Sequence, residues 1–377
     1  MSDPAVAETP LSLLPLPRPS VTVVVPTYRE VENIPHLVRR IGMVRESAGL
    51  DLELLLVDDN SLDGSVEAVE SLGLPWIRMV VRTADRGLSQ AVLDGLRRSE
   101  RDVLIVMDAD LSHPPEKIPE MLDALQRGAE VVVGSRFAEG GSTDDDWGFL
   151  RWINSRVATL LALPLTRLKD PMSGFFAMRR STFVAGRDFS PVGYKIGLEL
   201  IIKCRCERAV EVPIHFSDRR FGKSKLSLKE QLKYLQHIRR LYTYRYGTWS
   251  HLVQFLAVGC SGLAVNLALL TVFLGLRVRE KVAVALAIAL SMAWNFVLNR
   301  RFSFSYARSQ SISRQLLGFT AACSVGAVVN YYTTVAVWQT FHYKQSAAFV
   351  GVVAGTAFNF VFNRFFVFRI KHVKRAP

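Results

Sequence analysis

The sequence predicts an α/β domain on a mainly parallel sheet, followed by an α-helical membrane domain of four transmembrane helices. Three observations carry this prediction. Short β-branched runs alternate with helical patterns through the first half of the chain. Acidic and turn residues gather where those runs end, in "VDDNSLDG" and "MDADLSHPPE". From Phe255 onward long apolar stretches dominate.

The elements follow in order. "VTVVVPTYRE" (Val21–Glu30) reads as a buried strand that stops at Pro26, and "NIPHLVRRIGMVRES" carries apolar residues at helical spacing. "LDLELLLVDDNSLDG" is a second strand and "WIRMVVR" a third. "LSQAVLDGLRRS" is a helix, "DVLIVMDAD" a fourth strand, "PEKIPEMLDALQRG" a helix and "AEVVVGSR" a fifth strand. Such sheets bind ligands at the carboxyl ends of their strands. Here those ends hold Pro26–Glu30, Asp58–Gly64, Asp108–Ser112 and Gly134–Arg136. The Pro-rich residues 1–19 lack a basic start and an unbroken apolar core, so they read as a disordered leader, not a signal peptide. The α/β domain then spans 20–225, interfacial amphipathic helices 226–249 and the membrane domain 250–370.

Asp108 and Asp110 stand one residue apart at a strand end, where like charges repel strongly. One divalent cation between them removes the repulsion. Mg²⁺ or Mn²⁺ suits carboxylates that share the metal with phosphate oxygens. The plain alternative is an acidic turn before a Pro-led helix, but a second acidic strand end beside it argues for a site. Neither G-x-x-x-x-G-K-[ST] nor G-x-G-x-x-G occurs, which excludes a P-loop and weakens a dinucleotide fold. The net charge of +13 across 377 residues calls for an anionic partner. Without zinc-finger spacing or an unexplained basic helix, that partner is a lipid bilayer and not nucleic acid. The four cysteines show no disulfide or metal pattern and read as thiols.

Six segments in order, "VVVPTYREVENI", "VDDNSLDGS", "DADLSHPPE", "GSRF", "DPMSGFFAM" and "RRFGKSKL", resemble the family 2, GT-A-fold glycosyltransferases. They are most similar to dolichol- or polyprenol-phosphate mannose synthases, over about residues 20–245. The resemblance implies that Pro26, Tyr28, Glu30, Asp58 and Asp59 line a nucleoside pocket, with Asp108 and Asp110 holding the metal on the diphosphate. The family often has Gln as a further ligand where Ser112 stands, and the Ser112 hydroxyl would take that place, directly or through water. Arg136, Arg151, Ser155 and Arg220 would hold a lipid phosphate, and forked Arg contacts suit that task. Asp170, in "KDPMSGFF", is the spare carboxylate for sugar contact or base work, or else a turn before Pro171.

The reaction this implies moves a hexose, mannose from GDP-mannose, onto dolichyl or polyprenyl phosphate with inversion. A phosphate monoester is largely dianionic at pH 7 and already nucleophilic, so positioning and electrostatics carry the rate. UDP-glucose is the alternative donor. A processive synthase would carry Q-x-x-R-W, and the Arg151–Trp152 pair has no such Gln before it. A lipid-linked-sugar flippase or scaffold, with the soluble part only a binding module, is the rival from another class.

Four apolar segments follow, Leu252–Leu276, Val282–Leu298, Gln315–Phe341 and Ser346–Phe362, each near bilayer length. They repeat at an offset of 64 residues: Gly262 and Gly326, Asn266 and Asn330, Asn295 and Asn359, Asn299 and Asn363, Arg300 and Arg364. This implies two hairpins of one design and resembles the GtrA-like membrane domain. Amides in hydrocarbon need partners, so the asparagines bond across helices or face a partner subunit, which leaves a homo-oligomer open. Residues 229–250, 300–314 and 364–377 hold 14 Lys and Arg, against 4 in the opposite loops 277–281 and 342–345. Both termini and the catalytic domain are therefore expected on the cytoplasmic face of a plasma or ER-type membrane. Leu228, Leu232 and Leu235 suit a helix lying at the interface before the first span.

Overall fold

In the computed structural model of this protein, residues 19–144, 149–190, 192–193, 195–217, 228–341 and 343–369 are described. The chain divides into two compact units, Met1–Leu241 and Tyr242–Pro377.

The first unit opens with β1 (Val21–Thr27), α1 (Ile34–Ser47), β2 (Leu52–Asp58), α2 (Ser65–Leu72), β3 (Ile77–Val81), α3 (Leu88–Arg98), β4 (Val103–Val106), α4 (Ile118–Gln126) and β5 (Val131–Ser135), the predicted order with α2 added between the second and third strands. Then come β6 (Ser142–Thr143), α5 (Phe149–Ala162), β7 (Phe176–Arg179), α6 (Arg180–Ala185), α7 (Ile196–Lys203), β8 (Ala209–Pro213), β9 (His215–Phe216) and α8 (Leu228–Tyr246). Seven strands form one sheet in the order β3-β2-β1-β4-β7-β5-β8. All pairs are parallel except those of β7, which runs antiparallel to both β4 and β5.

β1 does not stop at Pro26. It runs to Thr27, with Pro26 opposite Val57, while its pairing with β4 ends at Val24. Past that point β1 has a ladder on one side only, so a residue without an N–H is tolerated. Apolar side chains cover both sheet faces. Val23 and Val25 pack with Leu37 and Ile41 of α1 and Met121 of α4. Val24 and Val57 pack with Val92 and Leu96 of α3 and Leu200 of α7. α3 lies so close to β1 that a Cβ on Gly95 would stand 2.4 Å from Val24 Cγ1. The strand order reverses between β1 and β4, and the crevice at their carboxyl ends is where such folds bind ligands.

α8 buries His237, Ile238 and Leu241 but leaves Leu232 59% and Leu235 50% exposed. One face of the helix thus packs on the first unit and the other presents leucines outward.

The second unit contains α9 (Thr248–Gly275), α10 (Glu280–Leu298), α11 (Ile312–Phe341) and α12 (Lys344–Phe362). Among the described residues these four helices are long and apolar enough to cross a bilayer. The repeat has a structural counterpart. α10 and α12 each end in a π-helical turn, Asn299–Ser303 and Asn363–Val367. Phe304 and Phe368, 64 residues apart, stack with ring centroids 4.8 Å from each other. In each hairpin a glycine receives an asparagine: a Cβ on Gly262 or on Gly326 would stand 2.1 Å from Oδ1 of Asn295 or Asn359.

The other matched pair diverges. Asn266 Nδ2 donates to Ser291 Oγ across the hairpin at 3.2 Å, as expected. Asn330 Oδ1 instead accepts from Thr334 of its own helix at 3.2 Å. The counterpart of Ser291 is Gly355, which has no hydroxyl to offer.

The two glycine notches predict a matched effect. Gly262→Ala and Gly326→Ala should each lower stability by about 1–3 kcal/mol through overpacking. Thermal unfolding in detergent measures this, and unchanged melting in both would mean that the amides are not held in the notches.

Candidate active site

The carboxyl ends of β1, β2, β4 and β5, with α5, the start of α7 and α8, enclose a cavity of about 1230 Å³. Pro26 near the end of β1 and Tyr28 and Glu30 beyond it line the cavity, and Tyr28 is exposed, with the Arg29 guanidinium 5.4 Å above its ring. After β2 the two aspartates part. Asp59 lines the cavity, where it accepts from the Gly87 N–H at 2.6 Å and pairs with Arg82. Asp58 turns inward and is absorbed by Thr27 Oγ1 at 3.1 Å, the Ser61 N–H at 2.8 Å and the Ser61 hydroxyl. It shapes the loop and stands behind the wall.

Asp108 and Asp110 both line the cavity. Ser112 is buried behind Asp110 and donates its N–H to Oδ1 at 3.2 Å and its hydroxyl to the same oxygen. It braces Asp110 and does not reach the cavity. His113, buried between Phe175 and Phe216, accepts the Asp108 N–H on Nδ1 at 3.1 Å, which leaves the proton on Nε2. Burial lowers its pKa, so a neutral imidazole holds the main chain of the acidic turn.

Arg136 lines the cavity beyond β5, but its fork is engaged. Nε and Nη2 donate to the two oxygens of Asp170 at 2.7 and 2.8 Å, and the Arg136 N–H adds a third bond at 3.1 Å. Asp170 is fully buried and does not line the cavity. Burial pushes its carboxyl up, yet the Arg136 guanidinium outweighs this and holds it below the usual carboxylate range. A carboxylate so placed orients Arg136 and is a poor base.

Ser155 lines the cavity from α5 beside Asn154 and Ala158. The Arg151 side chain and all of Arg220 lie outside the described residues. Two further groups were not anticipated. His113 sits inside a quoted motif with nothing in its spacing to mark it. Lys195 lines the cavity and donates to the Met172 carbonyl at 2.8 Å. Burial, aided by the Arg136 charge, lowers its pKa to about 8. A cation directly ahead of a helix opposes the helix dipole, and that misplacement before "IGLELII" was the available signal.

Two carboxylates at a strand end do not cage a metal alone, and among the described residues no cluster of three His, Cys, Asp or Glu side chains does so. The donor set fits a hard divalent cation that takes its remaining oxygens from a bound diphosphate.

A family model described as glycosyl transferase family 2 matches residues 22–185, and one described as GtrA/DPMS, transmembrane domain, matches residues 254–368. A dolichol-phosphate mannosyltransferase of Pyrococcus furiosus is 39% identical over 350 residues, 91% of this chain and 98% of that one. A dolichol-phosphate mannosyltransferase of Saccharomyces cerevisiae is 42% identical over 246 residues, 62% of this chain and 91% of that one. Among solved structures, glucosyl-3-phosphoglycerate synthase from Mycobacterium tuberculosis, crystallised with Mn²⁺ and UDP, is 18% identical. It covers 60% of this chain and 80% of its own, with a TM-score of 0.46.

The Arg136–Asp170 pair predicts a pH-dependent loss. Asp170→Asn leaves a buried guanidinium half-paired and should cost about 3–5 kcal/mol at pH 7. The folded pKa of Asp170 lies below the ordinary value of 3.8. The wild-type advantage is therefore fully present above pH 3.8 and fades as pH falls through the folded pKa. Denaturant unfolding of both proteins between pH 7 and pH 2.5 checks the sign.

Proposed function

Because this chain belongs to the dolichol-phosphate mannosyltransferase family, with a family 2 glycosyltransferase domain followed by a GtrA/DPMS membrane domain, we propose that it transfers mannose from GDP-mannose to a polyprenyl or dolichyl phosphate at the cytoplasmic membrane face. It is an integral membrane glycosyltransferase. The observation that carries the mechanistic reading is the meeting of Asp108, Asp110, Arg136 and Lys195 on one cavity. Two carboxylates and two cationic side chains suit a metal diphosphate on one side and a lipid phosphate on the other.

The nucleoside lies along Pro26, Tyr28, Glu30 and Asp59. Asp108 and Asp110 hold Mg²⁺ or Mn²⁺, with Ser112 orienting Asp110. The cation, when bound, neutralises charge on the leaving diphosphate. Lys195, which lines the same cavity, adds positive charge. The acceptor phosphate meets the Arg136 guanidinium, which Asp170 orients, together with Ser155 and, by resemblance, Arg151 and Arg220. The phosphate oxygen attacks the anomeric carbon from the face opposite the diphosphate, which gives inversion. No base is required, consistent with Asp170 serving Arg136. Leu232 and Leu235 on the outer face of α8 meet the headgroup region.

The test incubates purified protein with polyprenyl phosphate, divalent cation and labelled GDP-mannose or UDP-glucose, and counts label in the lipid phase. Label from GDP-mannose is expected, and Asp110→Asn or EDTA should lower it by about 10²-fold or more. Label from UDP-glucose alone would change the donor. Full turnover in EDTA would remove the metal. Absence of transfer with intact nucleotide binding would favour a binding or transport role.

A further inference from the structure

Phe216 of β9 stands where a core does not need it. Ile214, two residues before it, is 1% exposed and packs in the apolar core beside α1 and α4. Phe216 is only half-buried, belongs to neither core that covers the sheet, and lines the cavity. Its ring meets charged and polar groups instead. The central carbon of the Arg136 guanidinium stands 5.3 Å from the Phe216 centroid and 5.3 Å from that of Phe137. The His113 ring meets Phe216 edge-on at 5.4 Å. The next residue, Ser217, donates its N–H to the Ser112 carbonyl at 3.3 Å. β9 thus touches both residues that brace the acidic turn: His113, which accepts the Asp108 N–H, and Ser112, which donates to Asp110. β9 is itself held by β6. Thr143 pairs opposite Phe216, and the His215 ring joins Ser142 Oγ at 2.8 Å to Asp144 Oδ1 at 2.9 Å.

Asp170 alone does not fix Arg136. A carboxylate that grips Nε and Nη2 fixes one edge of the guanidinium, but the plane can still tilt about that edge. An aromatic ring against the cation opposes the tilt, because the negative face of its quadrupole attracts the positive charge. The same ring rests on His113, so the guanidinium and the metal-binding turn share one reference surface.

We propose that Phe216 is a positioning residue for the transfer reaction: its ring sets the tilt of the Arg136 guanidinium toward the acceptor phosphate, at a fixed place relative to the turn that carries Asp108 and Asp110. This rests on the reading of the cavity as the transfer site and of Arg136 as a contact of the acceptor phosphate. The effect of the ring passes through Arg136.

A double-mutant cycle tests it. Phe216→Leu keeps an apolar side chain and removes the ring face. It should keep the wild-type circular dichroism and raise KM for polyprenyl phosphate about tenfold, with the dissociation constant of GDP-mannose, read by calorimetry, within about twofold. Phe216→Tyr, which restores the face, should recover to within about threefold of wild type. In an Arg136→Gln background, Phe216→Leu should cost less than about twofold more. A second tenfold loss there would overturn the proposal, as would an unchanged KM in Phe216→Leu alone or an equal loss of GDP-mannose affinity. If Phe216→Leu does not fold, the cycle is run with Phe216→Met under the same criteria. Wild-type protein that transfers no sugar from GDP-mannose or UDP-glucose would instead remove the underlying reading, and the proposal with it.

Discussion

A carboxylate taken out of water must find a donor or a cation, and the charged groups around the cavity are arranged by that requirement. Asp170 is buried completely because Arg136 grips both its oxygens. The grip in turn holds Arg136 at the end of β5 with one edge of its guanidinium committed. Asp59 is tied to Arg82 and the Gly87 N–H, and Asp58 to Thr27 and Ser61. Each pair pins a loop at the carboxyl edge of the sheet. The acidic turn at β4 is held by a neutral ring, His113, which adds no positive charge beside Asp108 and Asp110.

That arrangement separates groups that reach the ligand space from groups that hold them. In each of three neighbouring pairs, Asp58 and Asp59, Asp110 and Ser112, Arg136 and Asp170, one member lines the cavity and the other stands behind it. Pre-organisation of this kind is what transfer chemistry with little acid–base work requires, since fixed dipoles and charges need not reorganise as the leaving group departs.

The membrane unit solves a different problem with a repeated device. Without a hydrophobic driving force between helices in lipid, close packing and interhelical polar contacts must supply the attraction. Gly262 with Asn295 and Gly326 with Asn359 provide the close packing in each hairpin, and the Asn266–Ser291 bond adds a polar contact in the first. Phe304 stacked on its repeat partner Phe368 shows the two halves meeting at equivalent surfaces. The halves have nevertheless diverged, since Gly355 replaces the hydroxyl of Ser291 and Asn330 bonds within its own helix.

The sequence by itself determined the alternation of strands and helices, the four spans, the 64-residue repeat and the strand ends that carry Asp108, Asp110 and Arg136, because hydrophobic period and turn chemistry are local. Tertiary structure decided what each polar side chain does, because that depends on neighbours remote in the chain. Asp58 and Asp59 are adjacent and indistinguishable as text, yet strand pleat sends one inward to Thr27 and the other to the cavity. Asp170 reads as a spare carboxylate until Arg136, 34 residues away, is seen to grip it. The antiparallel β7 was likewise illegible, since its direction follows from pairing with β4 and β5 and not from its own four residues. Lys195 carries no motif, and only the fold brings it to the cavity beside Asp108 and Asp110.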